Sequence, residues 1–391
     1  MEVKKISTKG MFMTSAMILL TSIIIISYAV DTNVQSNFKS KKERIISMNN
    51  FISDIELDFQ RSLYISSFRS LVSLQNEILN TGNFSSRWKL EELLINGTIN
   101  GNNVDIMKNS SLNNWAQKMN NISNNVGIDE NFEFSNFYVY QKGSWYVNFN
   151  ITSLESFEDK KHIAHWNRNI TVEASVPIDG QIDPIYSIYT NGKILKSVSK
   201  CNYNNFVTLL KSGTGSKWAY GYVNYTDSET NANSSRIVVS SDMSSWSSDT
   251  INTFLGAVST SFPSNVTVPH VKVSDVSGLP EKILINEGKI YDIENLRNFL
   301  FDGCYKDSNG PSYLMRLEGN LSNSKNGIES FVNIDELKKS GVHVTNGISC
   351  IDYMYFSNNQ TTAHKIKGMP DWFYLDDDHL DDYNCTDITL D

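Results

Sequence analysis

An uncharged apolar run from Met11 to Val30 constrains this chain more than any other feature of its sequence. At about 1.5 Å per residue, a helix of that length is roughly 30 Å long, which matches the hydrocarbon thickness of a bilayer. Lys4, Lys5 and Lys9 precede the run, and Asp31 follows it. Because positive charge stays on the cytoplasmic side, we expect a single-pass protein with its N-terminus inside and its bulk outside the cell.

A cleaved secretory signal peptide is the alternative interpretation of this segment. Such a peptide has a shorter apolar core, followed by a small-x-small cleavage site. The sequence Tyr28-Ala29-Val30-Asp31 fits that site poorly. The sequence therefore favours a basic cytoplasmic leader at 1–10 and a transmembrane helix at 11–30, with membrane lipid as the partner of Met11–Val30.

Composition describes the part of the chain that follows the membrane segment. The formal net charge is −9, with 43 acidic against 34 basic residues. Since an acidic surface repels phosphate backbones, nucleic acid is not an expected partner. Charged residues make up only 20% of the chain. Asn, Ser and Thr are frequent, so we expect an outer surface that is polar mainly through amides and hydroxyls.

Hydrophobic spacing predicts an α+β fold. A helical pattern from about Asn37 to Leu79 contains no proline, so the membrane helix is predicted to continue into a long helix. A break between residues 31 and 40 is the alternative. Apolar and polar residues alternate at 137–140, 145–151 and 169–176, which predicts an antiparallel sheet with one buried face. The long helix packed on this sheet forms a predicted domain at 31–190.

Residues 191–391 are predicted to form a mixed α/β extracellular domain. Strands are predicted at four short apolar stretches: 237–239, 282–285, 313–317 and 351–356. Helices are predicted at three stretches with helical spacing: 249–258, 293–300 and 334–339. Gly303 and Gly341 are expected to end the last two helices.

All four cysteines follow the membrane segment, on the predicted oxidising side. Their even number predicts two disulfides, and none has the spacing of a metal site. Three pairings are open, of which we favour the one between the two cysteines nearest in sequence, Cys350 and Cys385. A reducing environment would instead leave the thiols free. The candidates are Cys201, Cys304, Cys350 and Cys385.

Twelve Asn-x-Ser/Thr motifs also follow the apolar run, and they are spread over the whole outer region. This distribution is typical of a glycosylated surface protein. The candidate glycosylation sites are Asn83, Asn96, Asn109, Asn121, Asn150, Asn169, Asn224, Asn233, Asn265, Asn320, Asn359 and Asn384.

The acidic tail offers one candidate metal site. Asp376, Asp378 and Asp381 could supply the oxygen ligands that calcium prefers. The order of residues does not match an EF-hand loop, because the glycine and the terminal glutamate are absent. A solvated acidic surface is therefore the alternative.

A second candidate is the pair His162 and His165, which a carboxylate such as Glu158 could complete as a metal site. Lys160 and Lys161 would oppose a cation there, so solvated loop histidines are the alternative. The segment 213–217 (GTGSK) resembles a phosphate loop but lacks the full spacing, which favours a turn. The sequence has neither a nucleophile elbow nor a zinc-protease helix motif.

The leader Lys4-Lys5-Ile6-Ser7-Thr8-Lys9-Gly10, directly before the apolar run, resembles the class III signal peptide of archaeal type IV pilin-like proteins. The resemblance implies cleavage between Gly10 and Met11 by a prepilin peptidase, after which the apolar helix forms a filament core. Ser15 departs from the family pattern, because many pilins have a glutamate at that position. Further segments resemble archaeal membrane-anchored surface proteins of this architecture: 51–56, 96–100, 182–186, 311–319, 327–330 and 368–373.

These features predict a membrane-anchored, pilin-like surface protein that acts by adhesion, binding or filament assembly. Its expected partners are copies of itself or other surface proteins. The alternative is an anchored ectoenzyme, such as a metal-dependent hydrolase that uses the acidic tail or the histidine pair. Apart from calcium at the acidic tail, no cofactor is expected.

Overall fold

The computed structural model describes residues 8–211, 223–225, 237–239, 252–253, 271–273, 283–286, 289–358 and 361–390. It is an α+β chain with a long N-terminal helix and antiparallel sheets. The first of two compact units comprises Met1–Arg69, Glu92–Tyr138 and Phe149–Ala174. The second comprises Ser70–Glu91, Val139–Asn148 and Ser175–Asp391. The predicted domain boundary at 190/191 does not coincide with this division. That residues 31–190 and 191–391 are separate domains stays a prediction.

The N-terminal helix, α1 (Thr8–Thr81), contains both the apolar run and the predicted long helix. The predicted continuity is confirmed, and the alternative of a break between residues 31 and 40 is wrong. Side chains from Phe12 to Val30 are exposed, among them Ile26 at 62%. Among the described residues, only this helix is long and apolar enough to cross a membrane.

Shorter elements follow α1. The helices are α2 (Lys89–Asn96) and α3 (Leu112–Asn125), with a 3-10 turn at Asp105–Met107 before α3. The side chain of Ser111 accepts a hydrogen bond from the Asn114 N–H, which caps α3. The strands are β1 (Thr98–Ile99), β2 (Asn102–Asn103), β3 (Ile128–Gly143), β4 (Tyr146–Asp159) and β5 (His165–Pro177). The last three form one sheet in the order β3-β4-β5, as the alternating pattern predicts.

The core of the first unit combines one side of α1 with the apolar face of the sheet. Ile52, Phe59 and Leu63 of α1 are fully buried, as are Ile151 and Phe157 of β4. The helical residues step by seven and four, and the strand residues by an even number, so each set lies on one side of its element. Each such side chain contributes about 1.5–3 kcal/mol through its burial.

Two ion pairs accompany this core. The Arg44 Nε atom of α1 donates to the Asp159 Oδ1 atom of β4 at 2.7 Å, and the same guanidinium binds two backbone carbonyls after α3. Arg168 of β5 donates to Glu56 of α1. The polar contacts therefore fix the register of the helix on the strands at two points.

The second unit contains six short helices in its described part: α4 (Pro184–Tyr189), α5 (Glu294–Asp302), α6 (Tyr313–Glu318), α7 (Ile334–Lys339), α8 (Asp352–Ser357) and α9 (Asp377–Asp382), with a 3-10 turn at Thr386–Ile388. Helices α5 and α7 confirm two predictions. The strands predicted at 313–317 and 351–356 are wrong, since these residues lie in α6 and α8. Left-handed Gly319 and Asn358 end those two helices.

Fourteen short strands complete the described part of the chain: β6 (Ile182–Asp183), β7 (Lys196–Ser197), β8 (Thr208–Lys211), β9 (Val223–Tyr225), β10 (Ile237–Val239), β11 (Asn252–Thr253), β12 (Val271–Val273), β13 (Ile283–Asn286), β14 (Lys289–Asp292), β15 (Lys306–Ser308), β16 (Gly327–Glu329), β17 (Ala363–Ile366), β18 (Tyr374–Asp376) and β19 (Thr389–Leu390). Strands β10 and β13 confirm predictions. Of the helix predicted at 249–258, only 252–253 is described, and it is strand β11.

These strands pair locally. The sheets are β6-β7, β11-β12-β10-β9, β13-β14-β8, β15-β16 and β18-β17-β19. Most pairs are antiparallel, whereas β9 and β10 are parallel. In the β6-β7 pair, Asp183 lies opposite Lys196. This register brings two charged side chains of the second unit close together.

An aromatic cluster forms much of the core of the second unit. Phe299 and Phe331 have ring centroids 4.5 Å apart, and Phe331 and Phe373 4.8 Å apart. Phe206 and Tyr383 join them, also with centroids 4.8 Å apart. Edge-to-face and tilted pairs at such distances stabilise by about 0.5–1.5 kcal/mol each beyond the burial of their area.

Candidate functional site

The interior of the second unit contains a fully buried arginine. The Arg316 Nη1 atom donates to Asp183 Oδ2 at 2.6 Å and to Asp352 Oδ2 at 2.9 Å. The Tyr305 hydroxyl donates to the same oxygen of Asp183 at 2.8 Å. An unpaired charge in this position would be strongly destabilising, and the two carboxylates offset the loss of water.

Local structure places these groups. Asp183 ends β6 and caps α4, where its Oδ1 atom accepts the Ile185 N–H at 3.0 Å. Asp352 begins α8, and Arg316 lies in α6. The β6-β7 pairing then sets Lys196 opposite Asp183. Four charges, two of each sign, therefore meet in one interior region.

The amine of Lys196 lies among hydroxyls and aromatic rings. Its Nζ atom donates to Ser330 Oγ at 2.8 Å, to Tyr186 Oη at 3.0 Å and to the Phe331 carbonyl at 3.3 Å. It lies 4.5 Å from the centroid of the Tyr186 ring and 4.9 Å from that of Tyr305. Burial lowers the pKa of Lys196 to about 8, although nearby carboxylates oppose this shift.

Lys196 also lines a cavity of about 290 Å³. Apolar side chains, such as Leu300 and Leu337, form part of the wall. Asp302 and Glu336 add carboxylates. A concave, partly apolar site with a few polar groups and a titratable side chain of shifted pKa is the arrangement expected of a small-molecule site.

A second charged cluster lies nearby in the same unit but lines no cavity described here. The His379 ring binds Asp376 through Nδ1 at 2.7 Å and Glu329 through Nε2 at 3.3 Å. The Tyr383 hydroxyl donates to Glu329 at 2.7 Å, and Lys306 Nζ lies 3.2 Å from that carboxylate. Burial opposes the charged imidazole, but its two carboxylate partners raise the pKa of His379 to about 10. The cluster is suited to structural charge pairing.

The predicted calcium ligands do not converge. Asp376 is buried against His379 and accepts a hydrogen bond from Ser349 at 2.7 Å. Asp378 is exposed on α9, and Asp381 accepts from Thr386 at 2.8 Å. No group of three His, Cys, Asp or Glu side chains is arranged to hold a metal ion in the part of the chain that the structure describes. In the structure these aspartates have other partners or face solvent, and calcium binding there stays a prediction.

Of the candidate histidine site, His162 meets the predicted carboxylate Glu158, but no third ligand joins them among the described residues. His162 has a positive φ of 54° in the connection before β5, and its Nδ1 atom lies 2.6 Å from Glu158 Oε1. His165 is exposed at the start of β5. The phosphate-loop-like segment at 213–217 lies outside the described residues.

One of the candidate disulfides forms between Cys201 and Cys304, whose Cα atoms are 5.2 Å apart. Backbone pairing explains their proximity. The Cys201 N–H donates to the Tyr305 carbonyl at 2.9 Å, and the Tyr305 N–H donates to Ser199 at 2.7 Å. These bonds align the two segments side by side.

The favoured pairing of Cys350 with Cys385 is wrong, because both are free thiols. Cys350 Sγ lies 3.7 Å from the Trp372 carbonyl, and Cys385 Sγ lies 3.6 Å from the Tyr383 carbonyl. Each thiol therefore has a different backbone acceptor. Burial raises the pKa of both thiols to about 12, which keeps them protonated.

The structure sorts the glycosylation candidates by exposure. Asn150 is half-buried in the central strand β4. The side chains of Asn224, Asn233, Asn265 and Asn359 lie outside the described residues. Exposed candidates are Asn83, Asn96, Asn109, Asn121, Asn169, Asn320 and Asn384. Glycan occupancy stays a prediction, as does processing between Gly10 and Met11, which both lie in α1.

Sequence reasoning missed the cavity and its amine. Lys196 stands in the short strand β7 without a motif, and its partners Tyr186, Ser330 and Asp352 come from distant parts of the chain. The only local signal was Asp183 directly before a proline, which indicates a helix start. No protein-family model matches this chain, and no curated protein or solved structure shows a significant match to it.

Proposed function

We propose that this chain is a membrane-anchored protein of the cell surface that acts by binding. The exposed apolar surface of α1 from Phe12 to Val30 carries the proposal. In water this surface would be strongly unfavourable, at about 25 cal/mol for each Å² of apolar area. A bilayer removes that penalty, and a helix of this length satisfies its own backbone hydrogen bonds there.

The proposed orientation places the N-terminus in the cytoplasm and the part of the chain after the apolar run outside. The lysines before the apolar run support this orientation. The disulfide between Cys201 and Cys304 also supports it, since such bonds persist in oxidising surroundings.

A binding role is supported by α1 beyond the membrane segment. Leu57, Tyr64 and Phe68 are exposed, although they are large and apolar. They are seven and four residues apart, so they lie on one side of the helix. Such a stripe suits contact with other surface proteins or with copies of this chain, as in the pilin-like assembly that the leader suggests.

Protease treatment of intact cells tests the proposal. We expect an antibody against the C-terminal residues to lose its signal. A tag before residue 10, placed on a chain whose Gly10 is replaced by a bulky residue so that the leader is not cleaved, should stay protected until the cells are opened. Extraction with alkaline carbonate should leave the full chain in the membrane pellet. A C-terminus that resists protease on intact cells, or a chain that alkaline carbonate releases, would contradict the proposal.

N-terminal peptide mass spectrometry tests the pilin-type processing separately. We expect the mature chain to begin at Met11, and replacement of Gly10 by a bulky residue to leave a heavier, uncleaved protein. A native chain that begins at Met1 would leave a plain signal anchor.

A further inference from the structure

We propose that Lys196 is an imine-forming amine, and that the cavity beside it admits a small aldehyde or ketone. The cavity of about 290 Å³ has room for a small organic molecule. Its apolar wall suits the carbon chain, and Lys196 lies where a carbonyl carbon could approach. This activity goes beyond the binding role proposed for the chain as a whole.

The surroundings of Lys196 favour a nucleophilic amine in two ways. Burial disfavours the charged ammonium most, and the guanidinium of Arg316 acts in the same direction, whereas the carboxylates of Asp352 and Asp183 favour the charged form without reversing the shift. These are the two means by which proteins activate lysine toward carbonyl compounds. At a pKa of about 8, roughly a tenth of the amine is neutral at pH 7, a far larger share than for an exposed lysine.

A path for the proton leads away from the amine. Ser330 Oγ accepts from Lys196 Nζ at 2.8 Å and donates to Asp352 Oδ2 at 2.8 Å. Burial raises the pKa of Asp352, which makes that carboxylate a better proton acceptor. Ser330 is fully buried, so its hydroxyl relays a proton and does not itself reach a ligand in the cavity.

Tyr186 supplies the second proton-transfer group. Its hydroxyl accepts from Lys196 Nζ at 3.0 Å and donates to the Phe331 carbonyl at 3.1 Å. Rotation of this O–H bond would let it donate to an oxygen bonded to the attacked carbon. Burial raises the pKa of Tyr186 well above its usual range, so the hydroxyl stays protonated and can donate.

The reaction balances without any further reagent. The neutral amine forms a C–N bond to the carbonyl carbon, and the π electrons of the C=O bond move to oxygen, which takes a proton. The nitrogen loses a proton toward Ser330 and Asp352. The hydroxyl group then takes the proton held at Asp352 and leaves as water while the C=N bond forms. The second nitrogen proton passes to the Tyr186 oxygen, which replaces the proton that Tyr186 gave to the carbonyl oxygen. Amine and carbonyl thus give imine and one water, with Tyr186 and Asp352 restored.

Reductive trapping tests the proposal on the full chain in detergent micelles. The protein is incubated at pH 7.5 with propanal and sodium cyanoborohydride, and modified lysines are mapped by peptide mass spectrometry. We expect Lys196 to be alkylated at least about tenfold faster than the exposed Lys161 and Lys339, because a larger share of its amine is neutral. Alkylation of Lys196 at the same rate as these lysines, or more slowly, overturns the proposal.

Three variants sharpen the result. Lys196→Arg keeps the charge. It should abolish the fast alkylation at position 196 and leave the slower alkylation of the exposed lysines unchanged. Lys306→Arg is the matched control, since Lys306 also lies over a ring, 4.0 Å from the Tyr383 centroid, but does not line the cavity. It should leave the labelling of Lys196 unchanged. Tyr186→Phe keeps the ring and should slow Lys196 several-fold. Fast alkylation that persists in Lys196→Arg contradicts the assignment to Lys196. If this variant does not fold, the peptide mapping of the unaltered chain still tests the proposal.

Discussion

Arg316 and Asp352 are joined by two parallel hydrogen bonds, Nη1 to Oδ2 at 2.9 Å and Nη2 to Oδ1 at 3.1 Å, and neither side chain is exposed to solvent. Such a fork fixes the relative orientation of α6 and α8 as well as pairing the charges. Arg316 pairs Asp183 at the same time, so one guanidinium holds three elements of the second unit together.

Replacing Arg316 by Met should lower the free energy of unfolding by about 3–5 kcal/mol, because two buried aspartates lose their partner. Urea titration of the full chain in detergent measures the loss. Arg87→Met is the matched control: Arg87 also forms a fork, with Glu318, but that pair is partly exposed and its removal should cost about 1 kcal/mol or less. Equal losses in the two variants would contradict the role of burial.

Glu155 makes the stability of the first unit depend on pH. It is fully buried on β4, and no residue that the structure describes forms a hydrogen bond with either of its carboxyl oxygens. The pKa of Glu155 is raised to about 7. Burial is the main cause, the carboxylates of Glu56 and Glu130 act in the same direction, and Arg168 opposes them. A carboxyl group whose pKa is raised by folding contributes stability to the folded state. This contribution is fully present below the unfolded pKa of about 4.5 and is lost as the pH rises through 7.

We therefore expect the unit to be less stable at pH 8 than at pH 5, by on the order of 2–3 kcal/mol from Glu155. Glu155→Gln should remove the share of the difference that comes from Glu155 and leave that of Glu130, whose pKa burial also raises to about 7. Glu133→Gln, at an exposed position of β3, should keep the whole difference. Urea titrations of the three proteins at both pH values provide the comparison. The same pH dependence in Glu155→Gln as in the unaltered chain would rule out this explanation.

His379 should stay protonated throughout the physiological range. Its pKa is raised to about 10, so the stability that its charge contributes is complete below the unfolded value of about 6.5 and is lost only as the pH rises through 10. An NMR titration of the ring protons should show no change between pH 6 and 8. A midpoint below pH 8 would mean that Asp376 and Glu329 do not hold the charge as described.

The four cysteines should differ sharply in reactivity. Without reductant, alkylation of the denatured chain should label Cys350 and Cys385 only, since Cys201 and Cys304 are joined. The Cys201→Ser, Cys304→Ser double variant should lose about 4 kcal/mol of stability, as expected for a bond that closes a loop of 103 residues. Peptide mapping and urea titration check the two expectations, and a Cys350–Cys385 disulfide peptide would contradict the first.

Long periodic segments could be predicted from the sequence because each carries its own pattern. The apolar run and the helical spacing that follows gave α1, and strict alternation gave β3, β4 and β5. The stretch 313–317 failed because five apolar-rich residues fit a strand and a helix equally well. Gly319 after it, in the left-handed conformation, is the signal that ends a helix there.

The site could not be predicted from local spacing. Lys196 becomes a candidate only through Tyr186, Ser330 and Asp352, which tertiary packing brings to it from other elements. The disulfide could not be predicted for the same reason. Proximity in sequence favoured a bond between Cys350 and Cys385, but backbone hydrogen bonds between segments 103 residues apart bring Cys201 next to Cys304.

The disulfide between Cys201 and Cys304 also determines what a single proteolytic cut does to the chain. A protease that cuts once anywhere between these two residues leaves two pieces that are still covalently linked. The piece that carries the apolar helix would then retain the C-terminal piece, with α6 to α9 and the Lys196 partners Ser330 and Asp352, at the membrane. Such a nicked protein would run as one band on a non-reducing gel and as two after reduction.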